Sequence, residues 1–203
     1  MTPPERPFSE SCERNQEPIL SVLREYFDRP GAVLEIGSGT GQHAVYFGAA
    51  LPHLQWQTSD VPASHGGILA WLEYAHLPNL LAPLDLDVTG NWPTRDFDYV
   101  FSANTLHIMA WPEVIRFFAG VEEVLRVGGR LAVYGPFNYG GEYTSESNAR
   151  FDDWLKSRDA RSGIRHFEQV DALARGAGLH LLTDREMPAN NRTLVWEMRR
   201  GRL

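Results

Sequence analysis

Three sets of side chains in this sequence have types and spacings suited to chemistry. The first is Glu35-Ile36-Gly37-Ser38-Gly39-Thr40-Gly41, glycines at alternate positions behind a carboxylate. Glycine admits positive φ and lets a ligand reach the main chain with no Cβ in the way. The second is Asp60, 19 residues beyond Gly41, an acid placed to take both hydroxyls of a ribose. The third is His107, within Asn104-Thr105-Leu106-His107. A histidine titrating near neutrality can accept the proton that a hydroxyl or thiol sheds as it attacks carbon. Each set also has a plainer reading: the glycines as a tight strand-to-helix turn, Asp60 as a cap or turn residue, and His107 as a packed residue at a strand end.

The elements around these residues decide between the readings. Ala32 to Ile36 is a short apolar strand leading into the glycines, and helical periodicity runs from Gln42 to Leu51. Leu54 to Ser59 reads as a second strand, which puts Asp60 at its end. A helix over Ile68–His76, strands at Leu80–Val88, Phe97–Ala103 and Leu131–Gly135, and a helix bearing Val114, Phe117, Phe118, Val121 and Leu125 continue the alternation. Gly128-Gly129 reads as the C-cap of that last helix. Ahead of the first strand, Asn15 is the expected N-cap of a helix with Pro18 in its first turn, ended by Pro30-Gly31. Strand and helix in alternation predict a parallel sheet covered on both faces.

The last third has another character. Pro136 to Arg165 reads as a loop with a short helix over Ala149–Lys156, followed by a helix over Glu168–Arg175. Leu179–Arg185 and Arg192–Arg199 are strands separated too briefly for a crossover helix, so they form an antiparallel hairpin.

Bulk properties narrow the class. The 203 residues hold 19 Lys+Arg against 26 Asp+Glu, a net charge of −7, with no electrostatic footprint for a nucleic-acid backbone. A single cysteine, Cys12, provides neither a disulfide framework nor a paired-cysteine zinc site, and the histidines show no ligand spacing, so no metal is expected. No apolar run reaches the roughly 20 residues of a membrane helix. One soluble, cytoplasmic domain over residues 1–203 is expected, without membrane or nucleic-acid partners.

The glycine spacing bears on the ligand. A dinucleotide loop reads G-x-G-x-x-G and presents a pyrophosphate to a helix N-terminus. Here the spacing is G-x-G-x-G, and Glu35 would repel a pyrophosphate while attracting an ammonium group. The spacing favours S-adenosylmethionine over a nicotinamide dinucleotide. A nicotinamide-dependent oxidoreductase and a non-catalytic cofactor-binding protein remain as alternatives.

Glu35 to Gly41 resembles motif I of the class I S-adenosylmethionine-dependent methyltransferases. Asp60, Leu84-Asp85-Leu86-Asp87-Val88, Phe97-Asp98-Tyr99-Val100 leading to Asn104, and Leu125-Arg126-Val127-Gly128-Gly129-Arg130-Leu131 follow in that superfamily's order. Phe8 to Leu20, Tyr134-Gly135-Pro136-Phe137 and Met187 to Asn191 resemble a whole-chain family of methyltransferase-like proteins of unknown function.

The resemblance implies a Rossmann-like α/β fold, a mostly parallel seven-stranded sheet ordered 3-2-1-4-5-7-6 with strand 7 antiparallel. It implies an S-adenosylmethionine-dependent transferase acting on a small molecule, a protein acceptor being the other possibility. Gly37, Gly39 and Gly41 would offer backbone amides to the methionine part, Glu35 would meet its ammonium, and Asp60 the ribose. Asp87 with the Val88 amide would read adenine, Asp85 being the other candidate two residues away on the same side. Asn104 would lie by the cofactor and His107 by the acceptor as base. Residues 1–14 would form a lid, from which Arg14 pairs with the methionine carboxylate. Residues 136–166 would be a substrate-side insertion, with Tyr139, Tyr143, Asn148, Phe151, Trp154, Asn190 and Asn191 available to shape the acceptor pocket.

Overall fold

The structure, a computed structural model, describes residues 6–200. Its main sheet has strands β1 (Gly31–Glu35), β2 (Leu54–Asp60), β3 (Leu80–Asp85), β4 (Phe97–Ala103), β5 (Leu125–Gly135), β6 (Leu179–Met187) and β7 (Asn191–Met198). The order is β3-β2-β1-β4-β5-β7-β6, with β1 to β5 parallel and β7 antiparallel to both its neighbours. This is the expected topology. The helices are α1 (Glu10–Tyr26), α2 (Gln42–Ala50), α3 (Pro62–Ala75), α4 (Trp111–Val124), α5 (Glu146–Arg158) and α6 (Phe167–Gly176). Among the described residues no helix is long and apolar enough to cross a membrane.

Alternation along the strands sorts two cores. Val33, Trp56, Phe101, Tyr134 and Val195 face α1 and α2, while Leu34, Val100, Val133, Leu194 and Trp196 face α4 and α6. Fully burying one such side chain contributes about 1.5–3 kcal/mol, so the two-residue period fixes which helices cover which face. β1 lies between β2 and β4, so the sheet order reverses at β1, the place where folds of this kind bind ligands.

Several element boundaries differ from expectation. The first helix starts at Glu10, not after Asn15: Ser9 is the N-cap, its Oγ accepting from Cys12 N at 3.3 Å. Pro18 therefore lies inside the helix. Gly128-Gly129 does not cap α4, which stops at Val124. Leu125 already pairs with Phe97, and the next pair is Tyr99 with Arg130, so the intervening residues bulge from β5. Gly128 is left-handed there (φ +80°), and a Cβ on Gly129 would lie 2.8 Å from two carbonyl oxygens. β3 ends at Asp85 rather than Val88: Leu86 N makes the last bond to β2, to Asp60 O, and the chain then turns, Gly90 N donating back to Asp87 O. A two-residue parallel ladder, Phe137–Asn138 against Arg165–His166, was not anticipated.

Candidate functional site

The parallel strands place their final residues along one edge: Glu35 from β1, Asp60 from β2 and Asp85 from β3, with Asp60 and Asp85 side by side in register. Three adjacent strand ends thus each carry a carboxylate.

The glycine loop is fastened to this edge. Ser59 O accepts from Gly37 N at 3.1 Å and Ser38 N at 2.9 Å, and Ser38 O accepts from Gly41 N at 2.9 Å. Asp60 Oδ2 accepts from Gly39 N at 2.8 Å, and its Oδ1 from Val61 N at 2.8 Å. The amides of Gly37, Gly39 and Gly41 are therefore all engaged within the protein. All three glycines have positive φ (+73°, +56° and +91°), but for different surroundings. A Cβ at Gly37 would lie 2.6 Å from Thr105 Cγ2, and one at Gly41 3.0 Å from the Ile68 main chain, whereas one at Gly39 would meet nothing within 4 Å. Gly39 is the open face of the loop.

Glu35 is the floor. It is 2% exposed, and its Oε2 accepts from Ser38 Oγ at 2.9 Å and Trp56 Nε1 at 3.0 Å. Burial pushes its carboxyl up to about 7, against the opposing pull of those two hydrogen bonds. Beside it, Asn15 Oδ1 and His43 Nε2 are 2.7 Å apart in the interior, and burial holds the His43 imidazole down to about 4. Asn15 is thus spent on tying α1 to α2. Burial chiefly raises the Cys12 thiol, against hydrogen bonds with Ser9 and Thr40, with a smaller push from the Glu35 charge.

Other expected contacts resolve unevenly. Asp87 is exposed and holds a turn, its Oδ1 accepting from Thr89 N at 2.8 Å and Thr89 Oγ1 at 2.7 Å, which lowers its carboxyl. Val88 is buried and its carbonyl accepts from Trp92 Nε1. Arg14 lies within α1, exposed and paired with Glu10 at 3.0 Å, so the structure does not bring it to the loop. Of the expected lid, residues 1–5 fall outside the described residues. Pro7 O accepts from Trp71 Nε1 at 2.7 Å, and Ser9 N donates to Gln42 Oε1, so residues 7–9 lie against α3 and α2.

The other half of the edge follows β4 and β5. Asn104 sits just beyond β4 in the left-handed region (φ +59°), its amide donating to Tyr134 O at 2.9 Å. Asparagine is one of the few non-glycine residue types that visit this region routinely, which suits it to the turn. His107 is 6% exposed, and its ring meets Phe151 edge-on at 5.4 Å. Burial, with a smaller push from the positive charge of Arg165, lowers its imidazole to about 4. Phe151 stacks on Trp154 at 5.7 Å.

The remaining aromatic and amide candidates are tied into the framework. Tyr139 Oη donates to Asp184 at 2.8 Å and Tyr143 Oη to Asp152 at 2.6 Å. Asn148 Nδ2 donates to Asn190 O at 3.1 Å, and Ala189 and Asn190 are left-handed in the hairpin turn that Asn191 closes. Residues missed in the sequence are Trp56, Thr105, Ser162 and Arg165, each of which acts across a long stretch of chain. Only Trp56, at an inward position one strand over from Glu35, carried a periodic signal.

Residues 6–198 match the model of a family described as "Protein of unknown function (DUF938)". Among solved structures, the fold is similar to that of an O-methyltransferase family protein from Burkholderia thailandensis, with 17% identity, a TM-score of 0.83, and 95% of this chain and 59% of that one covered. It is also similar to human N-acetylserotonin methyltransferase in complex with S-adenosylmethionine (15% identity, TM-score 0.77, 94% and 53% covered). A third is an O-methyltransferase family 2 protein from Planctomyces limnophilus in complex with apigenin (18% identity, TM-score 0.75, 84% and 50% covered). The chain spans between half and three-fifths of the length of these proteins, and the likeness is one of fold.

Proposed function

The chain belongs to the family of proteins of unknown function DUF938, and we propose that it is an S-adenosylmethionine-dependent methyltransferase acting on a small-molecule acceptor. The observation that carries this reading is the row of carboxylates at three adjacent strand ends, beside a glycine loop whose Gly37, Ser38, Gly39 and Gly41 amides are already bonded within the protein. A pyrophosphate needs unengaged amides or cations, and this edge supplies acids instead. Acids suit a ligand with ribose hydroxyls, an ammonium and a sulfonium. The fold shared with methyltransferases of known structure supports the same choice.

The residues fit that ligand. Gly39 leaves room above the loop. Asp60 keeps lone pairs beyond its two amide bonds for ribose hydroxyls. Glu35 receives both donors on Oε2, which leaves Oε1 for an ammonium. Asp87 and Val88 stand after β3, where an adenine amino group and ring nitrogen would be read, with Asp85 as the alternative acid. Asn104 borders the cofactor from the β4 side. When bound, the cofactor supplies an activated methyl carbon, so the protein's task is alignment and exclusion of water.

His107 serves the acceptor. Its imidazole is neutral at pH 7, so a ring nitrogen has a lone pair to take the hydroxyl proton as the new oxygen–carbon bond makes that proton strongly acidic. Incubation with methyl-labelled S-adenosylmethionine and fractionated metabolite pools tests the reading. S-adenosylhomocysteine should form only with the fraction holding the acceptor, and His107→Ala should slow it by roughly a hundredfold or more. If the protein binds the cofactor and no pool yields product, methyl transfer is wrong and the chain is a cofactor-binding protein.

A further inference from the structure

The turn that carries His107 yields four consecutive main-chain carbonyls to one short stretch of chain. Leu106 O accepts from Arg165 Nε at 2.9 Å, His107 O from Gly163 N at 2.9 Å, Ile108 O from Ser162 Oγ at 2.7 Å, and Met109 O from Arg165 Nη2. Main-chain acceptors in an irregular turn would otherwise be left to water. Here each has a partner within residues 162–165.

That stretch is itself fixed. Ile164 N donates to Asp152 Oδ1 at 2.6 Å, and Asp152 is 1% exposed, its other oxygen holding Tyr143 and Lys156. Arg165 also pairs with Phe137 in the short parallel ladder just beyond β5. The four hydrogen bonds from residues 162–165 all go to the main chain of the turn, while the His107 ring meets the Phe151 ring edge-to-face at 5.4 Å. These four bonds therefore act on the imidazole through its backbone, while Phe151 packs the ring itself.

The geometry points to Ser162–Arg165 as a clamp that sets where His107 presents its imidazole, with Arg165 as the principal positioning residue. This rests on the reading of His107 as the group facing the acceptor. A guanidinium suits the task because its planar fork offers Nε and Nη2 together, spanning the carbonyls of Leu106 and Met109. An ammonium on a flexible stem keeps the charge but presents its donors from one point. The clamp also joins the 136–166 excursion to the reacting side of the sheet, so that ordering either one orders the other.

The test is the ring signature of His107 in the full chain labelled with 15N histidine, assigned by loss of its signals in His107→Gln. The wild type should show one narrow set of signals from a neutral ring between pH 6 and 8. Arg165→Met and Arg165→Lys should both move and broaden these signals, while the affinity for S-adenosylhomocysteine changes by less than about twofold, as expected for separated sites. Ring signals unchanged in both variants would overturn the clamp. So would full restoration by lysine, which would assign the effect to charge instead of bridging. If an Arg165 variant loses its folded amide spectrum, Ser162→Ala removes only the bond to Ile108 O and should shift the same ring less; no shift there also overturns the proposal. Failure of the wild type to bind S-adenosylhomocysteine would count against the cofactor reading alone, since the ring signals report on the clamp without it.

Discussion

At the β1–β2 end of the sheet, the Glu35–Gly41 loop is bonded to Ser59 and Asp60, about twenty residues further along the chain. At the β4–β5 end, the turn that holds His107 is bonded to Ser162, Gly163 and Arg165, more than fifty residues away. The first region is built by two neighbouring parallel strands, β1 and β2, and the glycine loop that leads into α2 between them. The second is built by an excursion that leaves the sheet after β5 and returns. On the proposed reading the first arrangement would hold the cofactor, and the second, which can vary without disturbing the strands, would set the acceptor.

This contrast can be tested by damaging each half in turn. The largest effect is expected from Gly37→Ala, which combines a left-handed backbone with a Cβ 2.6 Å from the Thr105 methyl. About 3–5 kcal/mol of stability should be lost in urea unfolding. Gly39→Ala shares the left-handed backbone but meets open space, and should cost only about 1 kcal/mol. Equal losses at the two positions would show that the loop is not wedged against Thr105 beyond the end of β4.

Glu35 gives the next largest effect. Its carboxyl, pushed up to about 7 by burial, binds a proton more tightly in the folded than in the unfolded chain. Its contribution is full below about pH 4.5 and is lost as pH rises through 7. His43 and His107, both held down to about 4, act in the opposite sense: their contribution is full above pH 6.5 and lost as pH falls through 4. The stability difference between wild type and Glu35→Gln isolates the carboxyl, and should move against the wild type by about 2–3 kcal/mol from pH 5 to pH 8. A difference independent of pH would mean that Glu35 is not the buried acid of this site.

On the acceptor side, Asp152→Ala strands the Ile164 amide and should cost about 2 kcal/mol. Hydrogen exchange should quicken over residues 143–166 and the 104–109 turn while the glycine loop stays protected; uniform quickening would erase the distinction between the two halves. The smallest effect is expected at Arg14, exposed and, among the described residues, paired with Glu10. Arg14→Ala should change stability by less than about 0.5 kcal/mol and leave the affinity for S-adenosylhomocysteine unchanged. A tenfold loss of affinity, about 1.4 kcal/mol, would restore its expected pairing with a carboxylate of the cofactor.

The same contrast explains what could be read from the residues. Strand alternation, the glycine spacing and Asp60 all lie within one strand–loop–helix–strand unit, so their periods and intervals carry the geometry, and the sheet order follows from the resemblance they support. Asn15 was misplaced because Pro18 suggested a helix start, whereas Ser9 caps α1 and Asn15 is occupied by His43. Gly128-Gly129 looked like a helix end because a glycine pair in a left-handed turn serves a bulge equally well. Arg165 left no trace, since a bridge from one side chain to two distant carbonyls has no period and no spacing.

The central claim is that the acidic strand-end row with its glycine loop holds a sulfonium nucleoside. Titration calorimetry with S-adenosylmethionine and S-adenosylhomocysteine, with NADH as control and Asp60→Ala alongside, tests it most directly. Binding of both sulfur nucleosides, at least tenfold weaker in the variant (a change of about 1.4 kcal/mol) and absent for NADH, is the predicted result. A folded wild-type protein that binds neither, or that prefers NADH, would contradict it.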